Sequence, residues 1–299
     1  MVKTIFFGNF FYGLCAVALA IEANMQQGLP LNSIEFYLLL FASTVWYYTL
    51  AYTHDPSNDS INERSAWYKN NVKKMRWIEA FSIGTSIFLL FRLYNNYAIG
   101  IGTITPFEYL LLFIFPVVGL FYYGLSVGNI FHLNLRKVGW LKPFVIAFVW
   151  AGSTTIYPAI FQQIEHNSIF EWGTVLSLWL FIKNWIFITI LCIMFDIKDY
   201  ASDHNKQLKT FVVRTGLRKT ISFIIIPMTI AGFSAFVAFA LAHHFHTIRI
   251  ILNSIPFILL IVVAFSLYQR KPILYYLAII DGQMLIKALC GISATLLIH

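Results

Sequence analysis

Charge is what this sequence has least of. Only 13 acidic and 21 basic residues occur among 299, so charged side chains make up 11% of the chain, where a soluble domain carries about 25%. A chain so poor in charge cannot cover a water-facing surface, which excludes a soluble globular protein. Cysteine is scarce as well. Cys15, Cys192 and Cys290 all lie inside apolar runs and form no CxxC pair, which supports neither a disulfide framework nor a zinc site. Long linkers, low-complexity tracts and a separate polar domain are also lacking, so residues 1–299 read as one domain.

What fills the chain is apolar. Hydrophobic residues make up 59% and aromatics 18%, with a mean hydropathy of +0.72. An apolar run of about 20 residues crosses a bilayer as a helix. Nine such runs occur, at 4–26, 31–54, 74–94, 105–126, 140–163, 171–195, 217–242, 247–268 and 272–297. They predict an all-α polytopic bundle of nine transmembrane helices. The first run, with Lys3 ahead of it and Ala18-Leu19-Ala20 within it, also reads as a signal peptide. Its length and the polar Asn9 inside it favour a span.

The connections alternate in charge. Arg64, Lys69, Lys73, Lys74 and Arg76 follow the second run, and Arg136, Lys137 and Lys142 follow the fourth. Lys198, Lys206, Lys209, Arg214, Arg218 and Lys219 follow the sixth, and Arg270 and Lys271 the eighth; the other connections hold only Arg92 and Arg249. The positive-inside rule then places the N-terminus and all four basic connections in the cytoplasm and the C-terminus outside. A bacterial inner membrane is the expected location. The net charge of +8 is therefore a matter of topology and anionic lipid, and no nucleic-acid partner is expected.

Two of the basic connections also carry acid. Asp196, Asp199 and Asp203 are spaced i, i+3, i+7, which puts three carboxylates on one helical face. Like charges so gathered call for a cation, and a hard divalent ion bridged to phosphate suits oxygen ligands. The alternative is a solvated helix end balanced by Lys198, Lys206, Lys209 and Arg214. Downstream run Leu208-Lys209-Thr210-Phe211-Val212-Val213 and Gly216. The second acidic stretch, His54-Asp55-Pro56-Ser57-Asn58-Asp59, precedes Asn62 and Arg64. By itself it reads as a polar turn, and Pro56 biases Asp55 away from helical geometry.

Together these stretches resemble the two acidic motifs of the UbiA-type intramembrane prenyltransferases, and the nine-span layout matches over essentially the whole chain. In that family an Asp-x-x-Asp-x-x-x-Asp segment leads into a Lys-Thr-Leu-Pro-Val-like run and a glycine; here Phe211 and Val212 stand at the Leu-Pro positions. The other family motif is Asn-Asp-x-x-Asp-x-x-x-Asp with a trailing Asn-x-Arg. Setting Asn62 and Arg64 on that tail puts Asp55 and Asp59 on its later aspartates and Ala51 and Tyr52 on its leading pair. A rival register from Asn58-Asp59 would put Asn62 and Ala66 at the later acidic positions.

The resemblance implies Mg²⁺-dependent transfer from a prenyl diphosphate to an aromatic or other lipid-precursor acceptor. It makes Asp55, Asp59, Asp199 and Asp203 catalytic, and has Asp196 join those four around the metal. Arg64, Lys142 and Lys209 become candidates for the diphosphate oxygens. Two other readings remain open. One is a non-catalytic relative that binds or scaffolds, which Tyr52 in place of an aspartate supports. The other is a transporter, which rests only on Lys183 and Asp281 among the ionisable residues inside the runs. Glu22, Lys183, Asp281 and Lys287 are such residues, alongside Asn9 and Asn184, and groups of this kind are functional candidates in a bilayer. Lys183 and Asp281 are expected to pair between spans or, alternatively, to contact the acceptor.

Overall fold

Inside lipid a backbone can satisfy its own N–H and C=O groups only as a helix or a closed barrel, and the apolar runs of this chain take the first route. The computed structural model describes residues 2–53, 63–123, 138–167, 175–205 and 207–297. No strand occurs among them. In chain order the helices are α1 (Val2–Phe7), α2 (Phe10–Gln26), α3 (Ile34–Thr53), α4 (Glu63–Asn70), α5 (Val72–Asn96), α6 (Ala98–Ile101), α7 (Pro106–Tyr123), α8 (Lys142–Ala151) and α9 (Tyr157–His166). They continue as α10 (Val175–Asn205), α11 (Phe211–Thr215), α12 (Leu217–Thr220), α13 (Ile226–Ala242), α14 (Thr247–Ser266), α15 (Ile273–Tyr275) and α16 (Gly282–Leu296).

Six continuous helical stretches among the described residues are long and apolar enough to cross a membrane: Val72–Asn96, Lys142–His166, Val175–Asn205, Leu217–Ala242, Thr247–Ser266 and Ile273–Leu296. Three shorter apolar helices, Phe10–Gln26, Ile34–Leu50 and Pro106–Tyr122, occupy the remaining expected runs. The first run is not one continuous helix. Asn9 adopts a left-handed backbone, φ 66°, which asparagine tolerates better than most residues, and this breaks the run into α1 and α2.

Helix α2 lies at the centre, packed against α3, α16 and the turn at Gly152–Ile156. Buried Ala16, Ala20 and Ala23 on α2 and Ala288 and Ala294 on α16 let the two backbones approach, as small residues do in membrane bundles. Around this centre α14 backs α16, α8 backs α10 and α5 backs α3. The outer helices turn apolar side chains outward. Trp77, Phe81, Phe88 and Phe91 of α5 are all exposed, a surface suited to lipid.

Three long helices contain a π-helical turn, at Gly152–Ile156, Ile221–Ile225 and Tyr276–Ile280. The first two lie just before Pro158 and Pro227. Proline lacks the N–H that would bond four residues back, and widening the turn re-accommodates the freed carbonyl. No proline follows the third turn. There the N–H of Asp281 bonds the carbonyl of Tyr276 at 3.1 Å, and the turn sets the direction in which Asp281 enters the core.

Candidate functional site

Helix α10 has 31 residues, about 46 Å at 1.5 Å per residue, whereas a hydrocarbon core is about 30 Å thick. The helix is longer than one crossing requires, and its charged last third, from Asp196 onward, follows the apolar run. That segment carries the three aspartates on the face their spacing predicts. Asp196 is 2% exposed and Asp203 7%, so two of the three turn inward instead of into solvent.

The burial of Asp196 is explained by α8. Lys142, the first residue of α8, places its ammonium 2.6 Å from Asp196 Oδ1. Tyr122, Asp199 and Asp203 also act on the charge of Lys142. Asp196 Oδ2 is buried and has no hydrogen-bond partner. Asp199 pairs with its neighbour Lys198 at 3.0 Å, both side chains partly exposed. The structure brings Lys142 to the aspartate end of α10 and joins it directly to Asp196.

The connection after α10 is built to close over this end. Thr210 caps α11, its Oγ1 accepting the Val213 N–H at 3.3 Å. Gly216, at φ 83°, turns the chain from α11 into α12 in a conformation that glycine alone adopts freely. A Cβ at Gly139 would stand 2.7 Å from the Lys209 carbonyl carbon and the Thr210 nitrogen. Only glycine lets the segment ahead of α8 rest on the segment after α10. Lys209 itself is exposed.

Arg64 takes a different place from Lys142. It is 2% exposed, donates to the Phe7 carbonyl at 3.3 Å and to Asn9 Oδ1, and lies over the Tyr52 ring at 4.2 Å from its centroid. Tyr52 stacks on Tyr68 at 4.8 Å. Asn9 Nδ2 donates to Thr49 and Tyr68 at 3.1 and 2.9 Å, so the residue that breaks the first run organises this network. Burial pulls the Arg64 guanidinium down, but Tyr52, Tyr12 and Tyr68 act more strongly the other way and leave it above its usual range. Burial likewise pushes the Tyr68 phenol up. Asp55, Asp59 and Asn62 lie outside the described residues, as do Asn58 of the rival register and Lys206.

Deeper in the bundle Tyr12 donates to Asp281 Oδ2 at 2.6 Å and stacks on Tyr48 at 4.5 Å, while Trp150 Nε1 donates to the Tyr48 hydroxyl at 2.7 Å. Nothing in the sequence distinguished Tyr12 and Tyr48 from the other tyrosines, since Tyr12 and Asp281 meet across 269 positions. The expected pairing of Lys183 with Asp281 does not form. Lys183 donates instead to Gln26 and Asn253, because it lies on α10 nearer the end opposite Asp196.

Among the described residues no group of three or more His, Cys, Asp or Glu side chains gathers as a ready metal site. The donor set nonetheless suits Mg²⁺. It consists of hard carboxylate oxygens on one face, one of them buried without a partner, and Mg²⁺ binds through one or two carboxylates while substrate phosphates and water complete its shell.

No family model matches the chain, and no curated protein does. Its fold is similar to that of a solved structure described as a digeranylgeranylglyceryl phosphate synthase in membranes, with 14% identity, 99% of each chain covered and a TM-score of 0.57. The chain is an all-helical, membrane-type protein with the fold of that synthase.

Proposed function

We propose that the chain is a membrane prenyltransferase that holds a prenyl diphosphate at the Asp196–Asp203 end of α10. Nine crossings of a bacterial inner membrane, with this end in the cytoplasm, fit the reading. The observation that carries it is the acidic face itself. Three aspartates at one end of the bundle, two of them buried, stand on a fold similar to that of a digeranylgeranylglyceryl phosphate synthase. In the reaction the bond between the allylic carbon and the diphosphate oxygen breaks, and its electron pair leaves with the diphosphate. A nucleophilic atom of the acceptor supplies the new pair to that carbon and loses its proton. Bound Mg²⁺ would neutralise charge on the leaving group, held by Asp199 and Asp203 with Asp55 and Asp59.

Asp196 keeps Lys142 in place, and its second oxygen would help to hold the metal. Lys142, already beside the carboxylates, is positioned for an outer phosphate oxygen, and exposed Lys209 reaches the same end. Arg64, turned inward over Tyr52, braces the start of the acidic connection. Incubating the purified protein with prenyl diphosphates of several lengths and a membrane-lipid extract tests the reading. Mass spectrometry should find a prenylated product whose formation needs Mg²⁺; no product from any donor would reject it.

One observation favours a second reading, a non-catalytic binder. Tyr52 occupies the position of the leading aspartate and is engaged with Arg64 and Tyr68. Tyr52→Asp separates the two. An enzyme short of one carboxylate should work at lower Mg²⁺ once that carboxylate is restored, whereas a binder should remain without turnover in both forms.

A further inference from the structure

The end of the bundle remote from Asp196 holds a second buried cluster of charges, and its charges do not balance. Glu22 on α2 is fully buried and is saturated. Lys287 of α16 donates to both its oxygens, at 2.8 and 2.6 Å, and Gln26 Nε2 donates to Oε1 at 2.8 Å. Room for this arrangement comes from Gly291, where a Cβ would stand 2.4 Å from Gln26 and 2.5 Å from Glu22. One turn of the pair is therefore complete: one acid, one base.

Lys183 is added to it without a counter-charge. It is 8% exposed, and its ammonium donates only to two neutral amide oxygens, of Gln26 at 3.2 Å and Asn253 at 3.5 Å. The Phe236 ring lies 5.6 Å away. Arg249, one turn before Asn253 on α14, is half-buried and donates to the Gln26 carbonyl at 3.1 Å. No carboxylate pairs with Lys183 or Arg249 among the described residues. Three cations thus surround one carboxylate in surroundings where an uncompensated charge is costly.

The geometry points to an anion as the missing partner: Lys183 and Arg249 form a site for a phosphate group that enters from the membrane surface at the start of α14. Arg249 stands in the first turn of a helix of crossing length, the place where a span meets the headgroup region, and Lys183 receives the charge further in. Gln26 and Asn253, which bond each other at 3.2 Å, hold the two cations at fixed places. Arginine and lysine together suit a phosphate oxygen set, the first as a directional donor and the second as a point charge. The site is separate from the acidic face and does not depend on the prenyl-transfer reading.

Thermal unfolding of the purified, delipidated full chain tests this, in phosphatidylcholine nanodiscs with added inorganic phosphate and in nanodiscs containing phosphatidylglycerol. The unfolding midpoint of the wild type should rise in a saturable way in at least one arm. A rise with inorganic phosphate alone identifies a free anion, and a rise with phosphatidylglycerol alone identifies a headgroup. Lys183→Met should unfold no earlier than wild type without anion, because it removes an unpaired buried charge, and should show no rise. Arg249→Gln, at the edge of the bundle, should need about tenfold more anion for the same rise, the loss of one charge-assisted hydrogen bond. No rise in the wild type in either arm overturns the proposal. So does a rise undiminished in Lys183→Met or, should that variant not fold, undiminished in Arg249→Gln.

Discussion

Lys142 and Asp196 show how one ion pair positions a site. With its side chain 3% exposed, Asp196 is compensated by the Lys142 ammonium 2.6 Å away. Removing one partner of a buried pair costs about 3–5 kcal/mol, whereas replacing both by apolar residues is often neutral. Lys142→Met should therefore destabilise the protein by about that amount, and Lys142→Met with Asp196→Leu should recover most of the loss. Unfolding midpoints of the three proteins in one detergent check this, and an equal loss in single and double variants would deny the pairing. The aspartate face was legible because i, i+3, i+7 spacing has one outcome on a helix. The lysine's partner was not, since 54 positions separate Lys142 from Asp196 and spacing carries no information across helices. For the same reason Lys183 and Asp281 looked like a pair, although they lie at different depths and find separate partners.

At the scale of elements, the acidic end depends on a close approach of two connections. Gly139 rests on the Lys209–Thr210 backbone at distances no Cβ can occupy, and Thr210 and Gly216 fix the short helix that follows. Gly139→Ala should force the two segments apart. The expected result is weakened prenyl diphosphate binding, by about tenfold or more, with helix content by circular dichroism unchanged, since a backbone shift at a binding site costs affinity without unfolding the bundle. Unaltered binding would show that the contact does not shape the site. The Thr-to-Gly stretch was visible in the sequence as a pattern, and the structure supplies its physical content as a cap and a positive-φ turn. The π turn ahead of Asp281 had no such signal. It packs against α10 and α16, contacts that local propensity does not encode, and unlike the other two it has no proline to mark it.

For the whole molecule, the apolar runs dictated helices, because lipid allows only helices or a closed barrel and continuous apolar runs of about 20 residues suit the first. Six of the nine expected runs form helices of crossing length among the described residues, and the first is shortened by the left-handed Asn9. The polar residues inside the runs were visible, but not their grouping into two clusters at opposite ends, one acidic and one basic. Both acidic connections should face the same side of the membrane. Single cysteines at Ser57 and Ser202, in a background lacking Cys15, Cys192 and Cys290, should react with a membrane-impermeant reagent from that side only. Labelling from opposite sides would break the topology on which the site rests.

The central claim is that the acidic face of α10 holds the diphosphate through a metal. Asp199→Asn and Asp203→Asn keep side-chain volume and remove one charge each. Mg²⁺-dependent release of diphosphate from a prenyl diphosphate, measured for the wild type and both variants after each is shown to be folded, tests the claim most directly. The wild type should release diphosphate only with Mg²⁺ present, and each variant should lose about 10²-fold or more, the scale on which removing one electrostatic stabiliser acts. Release that continues undiminished in folded Asp199→Asn and Asp203→Asn would contradict it.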